Sequence, residues 1–269
     1  MFHRKGEILS HEKVCPDLFL LTLKLPEIAR SASPGQFLHI RVGEMYDPLL
    51  RRPMSIARAD MIMGEVEILY KVTGKGTYLL STKGEGETID CMGPLGRGFS
   101  VPEGGDLILV AGGRGVAPLL FLAERALQRG KARVTFLMGA SSRSCLFYEN
   151  GLAALGARVG LATDDGSRGY HGPVTDLLEA ELSTPRNGSD VMVFSCGPEA
   201  MLRKVAGICI SRRIPCQISL ESFMGCGVGA CQSCVVKVYR DPGNPELGTL
   251  YKRVCIDGPV FNAEEVVFR

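Results

Sequence analysis

Three cysteines crowd into the stretch GCGVGACQSC, residues 225–234, at Cys226, Cys231 and Cys234. Gly225, Gly227 and Gly229 alternate with other residues, and no charged residue interrupts the run. Thiols this close, on so permissive a backbone, predict a loop wrapped around something rather than a helix or a strand. The spacing C-x4-C-x2-C, followed by a distant fourth cysteine, is that of a plant-type [2Fe–2S] site. A two-iron cluster is wider than one metal ion, so the loop must surround it with amides turned inward. Glycines allow that close approach and the positive φ angles it needs. The fourth ligand is expected at Cys255. CVVKVYR and TLYKRVC both read as strands, and DPGNPELG between them reads as a turn, so a hairpin would return Cys255 to Cys234. The competing readings are a structural zinc site or unligated thiols. Zinc sites more often join two C-x2-C pairs, and only one such pair is present.

The chain has ten cysteines, and this number matters for compartment. The start, MFHRKGEILSHEKV, has no apolar core of a secretory signal. No apolar run reaches the length of a membrane helix. These features predict a soluble, cytoplasmic protein with reduced thiols and no membrane association. Most of Cys15, Cys91, Cys145, Cys209 and Cys216 are expected to be small core residues. The formal net charge of +2, with Lys and Arg dispersed, gives no nucleic-acid surface.

Residues 1–100 read as an antiparallel β-barrel. FLLTLKL, QFLHIRV, PMSIARA and VEILYKV are strand-like runs punctuated by Gly, Pro and Asp. CMGPLGRGF reads as a turn-rich exit. From residue 101 to 220 strands alternate with helices. DLILVAGG, ARVTFLMGA, RVGLATDDG, DVMVFSCGP and PCQISLE are the strands, which predicts a parallel sheet covered by helices on both faces. Residues 221–269 belong to neither unit and form a small domain around the cysteines. The fold class is therefore a β-barrel plus an α/β domain plus a small C-terminal domain.

Two further signals point to nucleotide ligands. RRPMSIA starts a strand, and Arg52 can offer a guanidinium to a pyrophosphate. LYKVTGKGTYLLS places Gly74 and Gly76 before a helical stretch, where free amides suit phosphate. Solvated surface and ordinary barrel turns are the alternatives. AGGRGVAP, between a strand and a helix, stands where nucleotide-binding turns occur, without the full G-x-G-x-x-G pattern. SCGPEAM ends another strand at the same sheet edge, with Cys196 either a ligand-side residue or simply buried. Asp164 and Asp165, in TDDGSRGYHGPV, are expected to serve loop structure.

Taken in order, R-P-x-S, G-T, G-G-x-G-x-x-P, C-G-P and the cysteines resemble the ferredoxin–NADP reductase superfamily. The ending YKRVCIDGPVFNAEEVV, after GCGVGACQSCVV, is most similar to the electron-transfer subunits of NAD-dependent, two-subunit dihydroorotate dehydrogenases. The resemblance covers essentially the whole chain. It implies an FAD site at Arg52, Pro53, Met54, Ser55, Leu69, Tyr70 and Lys71, with Gly76 and Thr77 at the pyrophosphate. It implies a pyridine-nucleotide site at Gly112, Gly113, Gly115, Cys196, Gly197 and Pro198. It implies a [2Fe–2S] cluster on Cys226, Cys231, Cys234 and Cys255. Electrons would pass between NAD and an FMN-containing, dihydroorotate-oxidising partner, in a heterotetramer with two chains of each kind. No residue of this chain is assigned acid–base catalysis. Arg114, in the Gly-rich loop, and a long Cys234–Cys255 segment depart from the usual pattern. Ser141, Ser142 and Arg143, where an acidic residue would favour NAD, leave NADP open. The alternative functions are the small subunit of an NADPH–ferredoxin or sulfide-type oxidoreductase, and a redox- or metal-sensing module without turnover.

Overall fold

The computed structural model of the chain describes residues 1–16, 18–43, 46–184 and 190–268. The N-terminal strands β1 (Phe2–Cys15), β2 (Leu18–Lys24), β3 (Phe37–Arg41), β4 (Arg52–Asp60), β5 (Glu65–Lys71) and β6 (Thr88–Leu95) close into an antiparallel barrel. Their spatial order is β1-β2-β5-β4-β3-β6. Helices α1 (Pro26–Ser31) and α2 (Lys75–Ser81) lie in two of the connections. Alternation builds the interior, since successive strand residues face opposite sides. Val66, Ile68 and Tyr70 of β5 meet Leu21, Leu23, Leu38, Ile40 and Ile56 in one buried cluster.

The four expected barrel runs are strands, and two more complete the barrel. β1 is a polar segment, FHRKGEILSHEKVC, with little apolar pattern to announce it. Its main chain pairs with β2 on one side and β6 on the other. The segment CMGPLGRGF is not only an exit, because residues 91–95 belong to β6. Pairing along both edges is the main hold on β1, whereas β6 also alternates, burying Ile89, Cys91 and Leu95.

The second unit contains β7 (Gly105–Gly112), α3 (Val116–Gln128), β8 (Ala132–Ala140), α4 (Glu149–Ala154), β9 (Arg158–Thr163) and β10 (Tyr170–His171). It continues with α5 (Val174–Ser183), β11 (Val191–Cys196), α6 (Glu199–Ser211) and β12 (Cys216–Ser219). The C-terminal segment adds β13 (Val235–Tyr239), β14 (Thr249–Arg253) and β15 (Val260–Asn262). The large sheet has the order β10-β9-β8-β7-β11-β12-β15, and β13 pairs with β14 as a separate hairpin. The five expected strands are all present and parallel. β15, antiparallel to β12, shows that the last fifty residues do not stand wholly apart from this sheet. Among the described residues, no helix is long and apolar enough to cross a membrane.

Helix α3 joins the two units. Phe121 projects from it into the barrel's own buried cluster and is fully buried. Beside it, Arg58 of β4 donates from Nε and Nη2 to the Glu124 carboxylate at 3.2 and 3.1 Å. Arg58 Nη1 also donates to Glu67 at 3.1 Å. Truncating a buried aromatic ring costs about 3–5 kcal/mol. Phe121→Ala is therefore expected to lower the urea unfolding midpoint strongly, whereas Tyr78→Ala, at a side chain 60% exposed, leaves it nearly unchanged.

Candidate functional site

On the barrel, alternation divides the expected flavin residues between two faces. Met54 and Tyr70 point into the barrel core. The Tyr70 hydroxyl bonds to His11 Nε2 at 2.8 Å, and burial pushes its phenol above the usual range. Its ring stacks on Phe19 with centroids 5.6 Å apart. Only the backbone of these two residues can serve a ligand on the outer face. Pro53 and Ser55 lie on that outer side of β4, paired with His39 and Phe37 of β3. Leu69 packs into the cluster shared with α3, and Lys71 is exposed.

Arg52 and Gly76 are brought together. A Cβ at position 76 would lie 2.6 Å from Arg52 Nε and 3.0 Å from Nη2, so glycine is what lets the guanidinium lie across this turn. Thr77 shapes the turn from within. Its hydroxyl accepts the amides of Thr73 and Gly74 at 2.9 and 3.2 Å and lies 3.0 Å from the Gly74 carbonyl.

The sheet offers a second site. β7 and β11 are neighbours, with Ala111 opposite Cys196. β8 and β9 extend from β7, and β12 extends from β11, so the strand order reverses between them. Ligands of open parallel sheets bind at such a reversal, outside the carboxyl ends of the strands. Two loops meet there. A Cβ on Gly115 would lie 2.1 Å from the Cys196 carbonyl oxygen, and one on Gly112 would lie 2.8 Å from Pro198 Cδ. A Cβ on Gly197 would lie 3.0 Å from the Gly112 amide nitrogen. Gly113 takes a positive φ of 52°. Helices α3 and α6 start directly beyond these loops, and the first amides of a helix lack internal partners. Cys196 is buried, which pushes its thiol to about 12, so it stands as a neutral thiol.

Arg114 does not point freely into this site. Its Nε and Nη2 donate to Glu221 at 3.2 and 2.7 Å, tying the Gly-rich loop to the start of the cysteine segment. Both side chains are about half exposed, so the pair adds at most about 1 kcal/mol. Ser141 and Ser142 are directed to Cys145 Sγ at 3.5 and 3.8 Å, and Asp165 bonds to Ser167 within its own loop. Of the scattered cysteines, Cys91, Cys209 and Cys216 are buried, whereas Cys145 is exposed and Cys15 half-buried.

The third site is the cysteine loop. Gly227 and Gly229 have φ angles of +72° and +82°, which turn successive amides inward. Cys226 Sγ accepts the amides of Val228, Ala230 and Cys231 at 3.4, 3.3 and 3.4 Å. Cys231 Sγ accepts the Cys226 amide at 3.4 Å and stands 3.2 Å from the Ser233 hydroxyl. Hydrogen bonds, that from Ser233 foremost, hold the Cys231 thiol down to about 6. The hairpin forms as expected, its first rung pairing Val235 with Arg253. The Val254 amide donates to the Cys234 carbonyl at 3.0 Å, which brings Cys255 against Cys234. Burial and the Cys234 thiol push the Cys255 pKa up. Arg253 fastens the hairpin to the loop through the Gly229 carbonyl at 3.3 Å.

The thiols thus stand as two pairs, Cys226 with Cys231 and Cys234 with Cys255. Among the described residues, no three His, Cys, Asp or Glu side chains are gathered for a single metal ion. Inward amides with four thiols in two pairs fit a group that carries two metal atoms and sulfur acceptors.

Sequence reasoning missed two residues at the junctions. Glu221 was signalled only by its place five positions before Cys226. His39 was the one polar residue within FLHI, and strand alternation would have put it outside the barrel. It is fully buried there. A Cβ at Gly227 would lie 2.5 Å from its Nδ1. Burial, then the Arg51 guanidinium, pushes its pKa to about 4.

Known proteins share this organisation. Residues 5–99 match the oxidoreductase FAD-binding domain, residues 109–207 the oxidoreductase NAD-binding domain, and residues 221–267 the iron–sulfur cluster binding domain of dihydroorotate dehydrogenase B. The electron transfer subunit of dihydroorotate dehydrogenase B (NAD(+)) from Desulforamulus reducens is 39% identical over 264 residues, covering 98% of this chain and 97% of that protein. The corresponding subunit from Bacillus caldolyticus is 43% identical over 263 residues, covering 97% and 96%. A chain of the NADH-dependent reduced ferredoxin-NADP oxidoreductase, solved in a study of flavin-based electron bifurcation, superposes with a TM-score of 0.84 at 30% identity, covering 98% of this chain and 90% of that one. A ferredoxin NADP+ reductase from Neisseria gonorrhoeae shares the fold at a TM-score of 0.64 and 21% identity, covering 78% and 91%.

Barrel, sheet and cysteine loop together define an oxidoreductase of the ferredoxin reductase type that binds FAD, NAD and an iron–sulfur cluster. More narrowly, the chain belongs to the family of dihydroorotate dehydrogenase B electron transfer subunits. The backbone contact at Gly115 gives a direct test. Gly115→Ala is expected to force the two loops apart, weakening NAD(H) binding at least about tenfold, or about 1.4 kcal/mol, while flavin content stays that of the parent. Nucleotide titration followed by flavin absorbance measures both.

Proposed function

We propose that this chain is the electron-transfer half of a two-part enzyme of pyrimidine biosynthesis. It carries electrons between a dihydroorotate-oxidising, FMN-containing catalytic subunit and NAD. The observation that carries the reading is the meeting of the sites. The cysteine loop lies against the barrel at Gly227 and His39, and Arg114–Glu221 links it to the nucleotide loop. FAD, when bound, supplies two-electron exchange with the nucleotide and one-electron exchange with the cluster; the protein supplies binding, orientation and electrostatics.

The residues divide this work. Arg52 and the Gly76 turn, shaped by Thr77, receive the FAD pyrophosphate. Pro53, Ser55, Leu69 and Lys71, with the backbone of Met54 and Tyr70, line the outer face of the barrel for the flavin. Gly112, Gly113 and Gly115, with Cys196, Gly197 and Pro198, receive the pyridine nucleotide. Cys226, Cys231, Cys234 and Cys255 hold [2Fe–2S]. The corresponding units are residues 1–100, 101–220 and 221–269. The protein works in the cytoplasm, in an assembly of two chains of each kind. NAD is its nucleotide, and comparing NADH with NADPH as reductant checks this against the Ser141–Arg143 signal.

A second reading, the small subunit of an NADPH–ferredoxin-type oxidoreductase, draws on the likeness to the bifurcating enzyme's chain. Tagging the chain in its native cell separates the two. A co-purifying FMN protein that oxidises dihydroorotate supports the first reading, and a large FAD and iron–sulfur partner overturns it. Serine at any of the four ligand cysteines is expected to cut iron and acid-labile sulfide to less than about half of two each per chain. Cys145→Ser, at an exposed thiol, retains both.

A further inference from the structure

His39 is fully buried, and neither ring nitrogen meets a hydrogen-bond partner among the described residues. An imidazole carries at least one N–H in every protonation state, so a donor is left unmatched. Buried donors of this kind are rare and call for an acceptor. The surroundings say which acceptor. On one side the ring stands on β3, opposite Pro53 of the outer barrel face. On the other side the cysteine loop is laid over it. Gly227 needs its positive φ, and any side chain there would collide with Nδ1. The Cys226 carbonyl and the Arg51 backbone come near the ring without completing a hydrogen bond. The other turned-in donors of this loop, the amides of Val228, Ala230 and Cys231, are all directed at sulfur.

We propose that His39 donates a ring N–H to the iron–sulfur group held by this loop, so that the barrel itself hydrogen-bonds the cluster and raises its reduction potential. This rests on the reading of the four cysteines as [2Fe–2S] ligands. Hydrogen bonds to cluster sulfurs stabilise the more negative, reduced state and are among the factors that set the potential.

The chain has four histidines, which makes the test specific. His3 is engaged with Asp90, His11 with Tyr70, and His171 lies against the Gly166 turn. The holoprotein is labelled with 15N-histidine, reduced with dithionite and measured by pulsed EPR. The expected result is a weak 15N coupling to the reduced cluster that disappears in His39→Gln, whose side chain is unlabelled. A redox titration of the cluster then compares variants. His39→Leu is expected to lower the midpoint potential by about 59 mV, equivalent to about a tenfold change for one electron. His39→Gln, which keeps an N–H donor, holds it near the parent value. A cluster-replete parent with no 15N coupling overturns the proposal, as does a Leu variant with the parent potential. If the Leu variant loses its cluster, the labelled parent decides. Iron and sulfide contents report separately on the cysteine reading, so its failure is distinguishable.

Discussion

The ring of Phe121 belongs to one unit by sequence and to the other by packing. It stands on α3, in the nucleotide-binding half, yet it is buried among barrel residues. Close packing of this kind leaves little freedom, because interiors are as dense as organic crystals. The same helix starts at the Gly-rich loop, five residues earlier, or about 7.5 Å along its axis. One buried side chain therefore fixes where the first amides of α3 stand relative to the outer face of β4. The Arg58–Glu124 fork adds an oriented pair to that contact.

The cysteine segment is fastened differently. It has no large core of its own: β15 pairs with β12, Val254, Cys255 and Phe261 share the large sheet's buried cluster, and two further contacts tie the cysteine loop to its neighbours. One is a backbone laid on an imidazole ring at Gly227; the other is the half-exposed Arg114–Glu221 pair. The hairpin supplies the rest, setting Cys255 against Cys234 through main-chain bonds that any strand-forming residues can make. Arg114 thus has a structural explanation. Its charge is matched by a carboxylate from the segment that follows the sheet.

Much of this was legible in the residues. The cysteine spacing, the turn DPGNPELG and the strand–helix alternation each have a short-range physical cause, and each reappears in the structure. Where the cause is long-range, the sequence was silent. β1 shows little apolar pattern because main-chain pairing along both edges, with Ile8 buried in the barrel core, holds it. Met54 and Tyr70 lie in motifs that mark the flavin region, but period-two alternation turns their side chains into the core. Glu221 and His39 have meaning only through Arg114 and Gly227, each more than 100 residues away in the chain.

The flanks of the large sheet carry a consequence for assembly. At one margin lies β10, only two residues long, and at the other β15, three residues long and antiparallel. Such short margins offer a neighbouring chain almost no free main-chain groups to pair with. Strand addition across molecules is thereby discouraged. Recognition of a second protein falls instead to side chains and loop surfaces, which can be specific where a backbone ladder is not.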